Sequence, residues 1–214
     1  MESLAKLFGS AARVKIMRLF LFNPEGGFDS SDISKHTRVV PREVRKEVAL
    51  LEKIGMIKRA VFFKEFITKR GKLKETSKKR VKGFRLDNDF MYLQPLQSLL
   101  IHIAPLSNKQ IISRLNGSGQ IKLVIVSGVF IQNWDSRIDM LIVGDKLRMN
   151  AIEHVISVLE AEIGKELRVA VFETSDFVYR MGVLDRLVRD ILDFPHQKII
   201  DKIGIELPKP IHDV

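Results

Sequence analysis

The stretch VIVSGVFIQNWDSRIDMLIVGD, Val124 to Asp145, places a polar loop between two apolar runs. Residues 121–127 (IKLVIVS) form a near-continuous β-branched run, the pattern of a strand buried on both faces, and residues 137–143 (RIDMLIV) form a second. Further along, AIEHVISVLEAEIG has helical periodicity and ends at Gly164. LRVAVFE reads as a third strand, and FVYRMGVLDRLVRDILDF as the closing helices. Strands alternating with helices predict a layered α/β or α+β domain. Before this stretch, FMYLQPLQSLLIHIAPLSNKQIISRLNGSG predicts two short apolar helices separated by Ala104-Pro105, then a turn at Asn116–Gly119. That segment is too rich in Leu and Ile for a free linker, so it is expected to pack on something, a second subunit being one candidate.

Charge divides the chain. Residues 1–90 hold 22 Lys/Arg against 11 Asp/Glu, whereas residues 91–214 hold 14 against 15, so the formal net charge of +10 comes from the first part alone. A basic module joined to a near-neutral one predicts a polyanionic partner for the former. The chain has no cysteine, which excludes disulfides and thiolate zinc sites and fits a reducing, cytoplasmic setting. Its amino terminus, MESLAKLFGSAARVK, does not read as a signal peptide, and no apolar run approaches the roughly 20 residues of a membrane span, so no membrane partner is expected.

Within the basic module, Leu4, Leu7, Phe8, Ala11, Val14, Leu19 and Phe22 recur at helical spacing up to Asn23-Pro24. Ser30 or Ser31 is placed to cap a short second helix, with Asp32 in its first turn. Thr37-Arg38-Val39-Val40 reads as a turn, Pro41 opens a third helix, PREVRKEVALLEKIG, and Gly55 closes it. At about 100° per residue, Val44, Val48, Leu50, Leu51 and Ile54 share one side, and Arg42, Arg45, Lys46 and Lys53 share the other around Ala49. A small residue among long cations lets such a helix approach a groove floor. The runs MIKRAVFFKEFIT and RVKGFRL then predict a hairpin, with KRGKLKETSKKR (residues 69–80) as a long cationic tip.

This order is that of a winged helix-turn-helix. The candidate DNA contacts are Arg38, Arg42, Arg45, Lys46 and Lys53, with Lys69, Arg70, Lys72, Lys74, Lys78, Lys79 and Arg80 on the wing. The helix cations suit base edges such as guanine O6/N7, and the wing suits phosphates. LFGSAARVKIMRLFLFNPE and LLEKIG-IKR resemble the arsenic-repressor-like winged helices of prokaryotic transcription regulators, over most of residues 3–87. That resemblance implies binding to double-stranded DNA as a homodimer.

The Val124–Asp145 stretch resembles the minimal nucleotidyltransferase fold of the DNA-polymerase-β-like superfamily, in which a strand ends in Gly-Ser and the next begins Asp-x-Asp. The resemblance implies that Gly-Ser binds nucleotide phosphates and that the aspartates, with a third acid, hold two magnesium ions. Alternate residues on a strand lie on one side about 6.6 Å apart, so Asp-x-Asp can share a metal pair. Matched residue by residue, Asp139 takes the second aspartate position and Arg137 the first, Ser127-Gly128-Val129 replaces Gly-Ser, and Arg168 opens the third strand without an acid before Glu173. Asp135, four residues from Asp139, lies about 13 Å away on an extended strand, too far to chelate the same ions, whereas a curled loop would bring it closer. A guanidinium does not deprotonate, so the set is expected to be non-catalytic and to need no cofactor. Asp139 is expected to pair with Arg137 or to cap a neighbouring backbone. Trp134-Asp135 either lines an anion or nucleotide pocket with Arg137 or supplies a packed aromatic and a turn residue.

The five histidines have no metal-ligand spacing, and there is no P-loop or GxSxG motif. The expected fold is α+β: a winged helix-turn-helix at residues 1–87, a helical connector at 88–118, a small nucleotidyltransferase-like domain at 119–204 and a tail at 205–214. The expected function is a sequence-specific DNA-binding transcription regulator whose second domain senses a small-molecule or nucleotide effector or dimerises. Two alternatives are an active, magnesium-dependent nucleotidyltransferase that holds its acceptor with the winged helix, and a nucleic-acid adaptor without an operator.

Overall fold

The computed structural model describes residues 2–70, 73–101 and 106–204 and, within these, the side chains of all but residues 2, 67–70 and 73–75. It is a mixed α+β fold with two sheets. The chain divides into two compact units, residues 1–101 with 161–165, and residues 102–160 with 166–214. No helix among the described residues is long and apolar enough to cross a membrane.

In the first unit the expected single opening helix is two, α1 (Glu2–Phe8) and α2 (Ala11–Phe22). Gly9 adopts a φ of 72°, and the Ser10 hydroxyl caps the restart by accepting from the Arg13 N–H at 3.1 Å. A two-residue strand, β1 (Gly27–Phe28), precedes α3 (Ser30–Thr37). The cap of α3 is Asp29 rather than Ser30 or Ser31. Asp29 and Asp32 each accept from the other's backbone N–H, a reciprocal arrangement that a lone serine could not make. Arg38 follows at φ 53°, and Pro41 opens α4 (Pro41–Lys53). The long strands β2 (Ile57–Arg70) and β3 (Leu73–Leu86) pair antiparallel along their whole length, and β1 adds to β3, giving the order β1-β3-β2. Gly83 is required at that crossing, because a Cβ there would strike the Phe28 carbonyl.

The core of this unit takes Val14, Ile16, Met17, Leu19, Phe20 and Leu21 from α2, which is buried all round, with one side of α3 (Ile33) and of α4 (Val44, Val48 and Leu51). The first connector helix, α5 (Leu93–Leu100), packs on this core through Leu93, Leu96 and Leu100. The Leu100 carbonyl accepts at 3.0 Å from Nε of Arg18, a buried arginine on α2.

The second unit begins with α6 (Asn108–Leu115), which a Ser107/Gln110 capping box starts. Its sheet has the order β6-β5-β4-β7, built from β4 (Gln120–Val126), β5 (Met140–Asp145), β6 (Val169–Glu173) and β7 (Gln197–Asp201). The β5–β6 pair is parallel and the other two pairs are antiparallel. A parallel pair needs a long crossover, supplied here by α7 (Met149–Ile163). The helices α8 (Thr174–Gly182) and α9 (Arg186–Leu192) cover the core through Phe177, Val188 and Ile191.

Candidate functional site

On α4, Val44, Val48 and Leu51 are buried, and Arg42, Arg45, Lys46, Ala49 and Lys53 are exposed. Among the described residues none of these four cations has an ion-pair partner, so their charge faces solvent. Two expectations change. Ile54 is half exposed at the helix end, and Leu50 is only partly covered. The buried side instead includes Glu47, which accepts from Arg13 Nε of α2 at 2.8 Å. That charge-assisted bond fixes α4 on α2 and thereby sets where its basic face points. Arg38, in its left-handed turn, is also exposed.

The hairpin is more regular than its composition suggests. The long cationic tip expected over residues 69–80 is instead largely strand, with pairing that runs on to Arg70↔Leu73. Lys72 lies outside the described residues, as do the side chains of Lys69, Arg70 and Lys74. Lys78, Lys79 and Arg80 are exposed. Lys78 pairs with Glu65 at 3.2 Å, Lys79 lies 5.6 Å from the Phe66 ring centroid, and Arg80 stands opposite Phe63.

Sequence reasoning missed the tie that anchors this hairpin. Lys64 Nζ reaches Asp29 at 2.8 Å and Asp32 at 2.5 Å, joining β2 to the amino terminus of α3. Burial alone would raise the Asp29 carboxyl, but Lys64 and the Asp32 and Ser31 N–H groups outweigh it and hold its pKa below the usual range. Burial likewise works against the Lys64 ammonium, yet the two carboxylates raise its pKa. The resulting stabilisation is fully present between the ordinary carboxylate and lysine ranges. It is lost as pH falls through the depressed Asp29 pKa and as pH rises through the raised Lys64 pKa. Lys64→Met is expected to lower the first unit's stability at neutral pH by about 1 kcal/mol, the ceiling for a pair this near the surface. The same variant should flatten the acid and alkaline limbs of a denaturation-versus-pH curve.

In the second unit the residues of the quoted stretch meet differently from expectation. Asp139 does not lie within a strand; it immediately precedes β5 and is fully buried. Its charged partner is Arg168, not Arg137, and, as the alternative expectation had it, it accepts from neighbouring backbone N–H groups. Oδ2 accepts from the Arg168 backbone N–H at 2.9 Å and from Nε at 3.1 Å, and Oδ1 accepts from Val129 N–H at 3.1 Å. Arg137 turns outward to Asp190, 2.8 Å away. Gly128, at φ 54°, leaves the space the carboxylate fills, since a Cβ there would overlap Asp139 Oδ1. Ser127 donates to the Pro195 carbonyl at 2.6 Å, and its oxygen lies 2.8 Å from Ser136 Oγ. Trp134 and Asp135 sit on an exposed loop, where the Asp135 N–H donates to Asn133 Oδ1.

These residues do not fit a divalent-ion pair. The single buried carboxylate is already saturated by a guanidinium and two backbone donors, and no three His, Cys, Asp or Glu side chains converge among the described residues. Arg168 was visible in sequence only as a missing acid; that it supplies the neutralising charge follows from β6 running parallel beside β5.

No protein-family model, curated protein or solved structure matches this chain.

Proposed function

We propose that the chain is a sequence-specific double-stranded DNA-binding transcription regulator: a winged helix-turn-helix followed by a nucleotidyltransferase-like unit without catalytic metal chemistry. The observation that carries this reading is the α4 surface. Four cations without an ion-pair partner among the described residues surround Ala49 on a helix whose opposite side is locked by Val44, Val48, Leu51 and the Arg13–Glu47 bond. Such a face presents guanidinium and ammonium groups at the depth of a major groove. The hairpin adds exposed cations suited to phosphate. The Asp139–Arg168 pair supports a binding or assembly role for the second unit, because the carboxylate that a metal would need is engaged.

Arg45→Ala is expected to weaken discrimination at one base pair of the preferred site by about 1–3 kcal/mol while leaving non-specific affinity nearly unchanged. Selection from a random duplex pool, followed by anisotropy titrations on single-base variants, measures both quantities. If wild-type protein enriches no motif, the adaptor reading replaces this one. If the chain transfers label from a nucleoside triphosphate and Asp139→Ala abolishes the transfer, the enzyme reading does.

A further inference from the structure

Phe63 stands out from the β2–β3 ribbon with its ring in water. Side chains alternate across the ribbon, so the cross-strand pairs Arg59↔Phe84, Val61↔Lys82, Phe63↔Arg80 and Glu65↔Lys78 share one side. On the other side Phe62, Lys64 and Phe66 are partly covered, and the Phe66 ring lies 5.6 Å from each of the Lys64 and Lys79 ammonium groups. Phe63 has no such company: it is 73 % exposed, with no ring or cation partner among the described residues. Val61, next to it on the same side, is 48 % exposed. Beyond Val61 this side is hollowed into an open depression of about 490 Å³, walled by Arg59, Val61, Lys82 and Phe84. Its floor is backbone, because Ala60 and Gly83 face the other way. Arg59 is held by Glu52 at 2.6 Å and Lys78 by Glu65 at 3.2 Å, whereas Arg80 and Lys82 have no ion-pair partner among the described residues.

We infer that this side of the ribbon binds single-stranded nucleic acid, with one unpaired base stacked on Phe63 and its neighbour seated in the depression. The chemistry of the face selects that occupant. Arg80 and Lys82 suit an anion and stand about 6.6 Å apart along β3, so one extended sugar-phosphate backbone reaches both. The same two cations keep a second copy of the chain away, since like charges would meet. Phe63 suits a planar apolar partner. In a duplex each base face is covered by its neighbour, so a duplex pairs its phosphates with the cations and leaves the ring in water. An anionic membrane would accept ring and cations, but a flat lipid surface leaves the recess beside them unfilled. An unpaired base fills ring and recess alike, and every base has a π face, so the site is indifferent to sequence. The inference goes beyond the duplex reading, from which it borrows only the phosphate affinity of Arg80 and Lys82.

The test is fluorescence anisotropy of the full chain with three labelled probes: oligothymidylate of about 12 nucleotides, an abasic oligomer of the same length and charge, and a mixed-sequence duplex. Wild type is expected to bind oligothymidylate about tenfold more tightly than the abasic oligomer. Phe63→Ala should remove that preference and Phe63→Tyr should keep it. Both should leave duplex affinity within about twofold, because a stacked duplex offers Phe63 no base face. Phe63 is a surface position, so both variants should keep the thermal midpoint. Equal binding of the two oligomers by wild type, an undiminished preference in Phe63→Ala, or a loss on the duplex as large as that on oligothymidylate overturns the inference. So does tighter, Phe63-dependent binding to phosphatidylserine vesicles than to oligothymidylate. A failure on the oligomers leaves the duplex reading standing, since that is measured on the duplex itself and through Arg45.

Discussion

Raising monovalent salt from about 50 to about 200 mM should weaken binding to any duplex by about 10³-fold. Six cations of the first unit, Arg42, Arg45, Lys46, Lys53, Arg80 and Lys82, are exposed and have no ion-pair partner among the described residues. If each displaces one counterion from phosphate, log affinity falls against log salt with a slope of about −5. Replacing Arg80 and Lys82 together with alanine should shorten that slope by about two and weaken all sequences alike, since backbone contacts carry no sequence information. Fluorescence anisotropy across a salt series measures both. A slope near zero would remove the basis for assigning nucleic acid to this surface.

The second large effect is on stability. Asp139→Ala should destabilise the second unit by about 2–4 kcal/mol, because it leaves the Val129 and Arg168 N–H groups unpaired in a buried site, while the half-exposed Arg168 guanidinium turns to water. Asp139→Asn keeps the volume but turns one acceptor into a donor facing an N–H, so its loss should be intermediate. Trp134, the only tryptophan, lies in the loop that ends at Asp139 and reports unfolding of this unit by its fluorescence in urea. A loss below about 1 kcal/mol for Asp139→Ala would mean that the pair behaves as a solvated surface bridge.

What was legible in sequence follows the range of the interactions involved. The α4 boundaries and its basic face were readable because Pro41, Gly55 and the residue spacing act within the helix itself, whereas buried Glu47 was not, since its partner Arg13 lies on α2. The strands β4, β5 and β6 were readable as apolar runs, though the first three residues of RIDMLIV precede β5. The β7 strand was not, since QKIID is a short, half-exposed edge segment without a turn signal, and β1 is only two residues long. The Asp29 cap depended on reciprocity with Asp32, which the run Asp29-Ser30-Ser31-Asp32 leaves ambiguous. The pairing of Asp139 with Arg168 crosses 29 residues and exists only once β6 lies beside β5. The tie from Lys64 to Asp29 and Asp32 is tertiary in the same sense.

The pairing of β2 with β3 has a geometric consequence. Successive residues on a strand point to opposite sides, so Lys78, Arg80 and Lys82 project one way and Lys79 the other. The three therefore share one exposed side of the ribbon, and the other is the side on which Lys64, opposite Lys79, is tied to Asp29 and Asp32. The roll of the ribbon about its long axis is set by that tie, and the side it leaves to solvent is the one the three cations occupy.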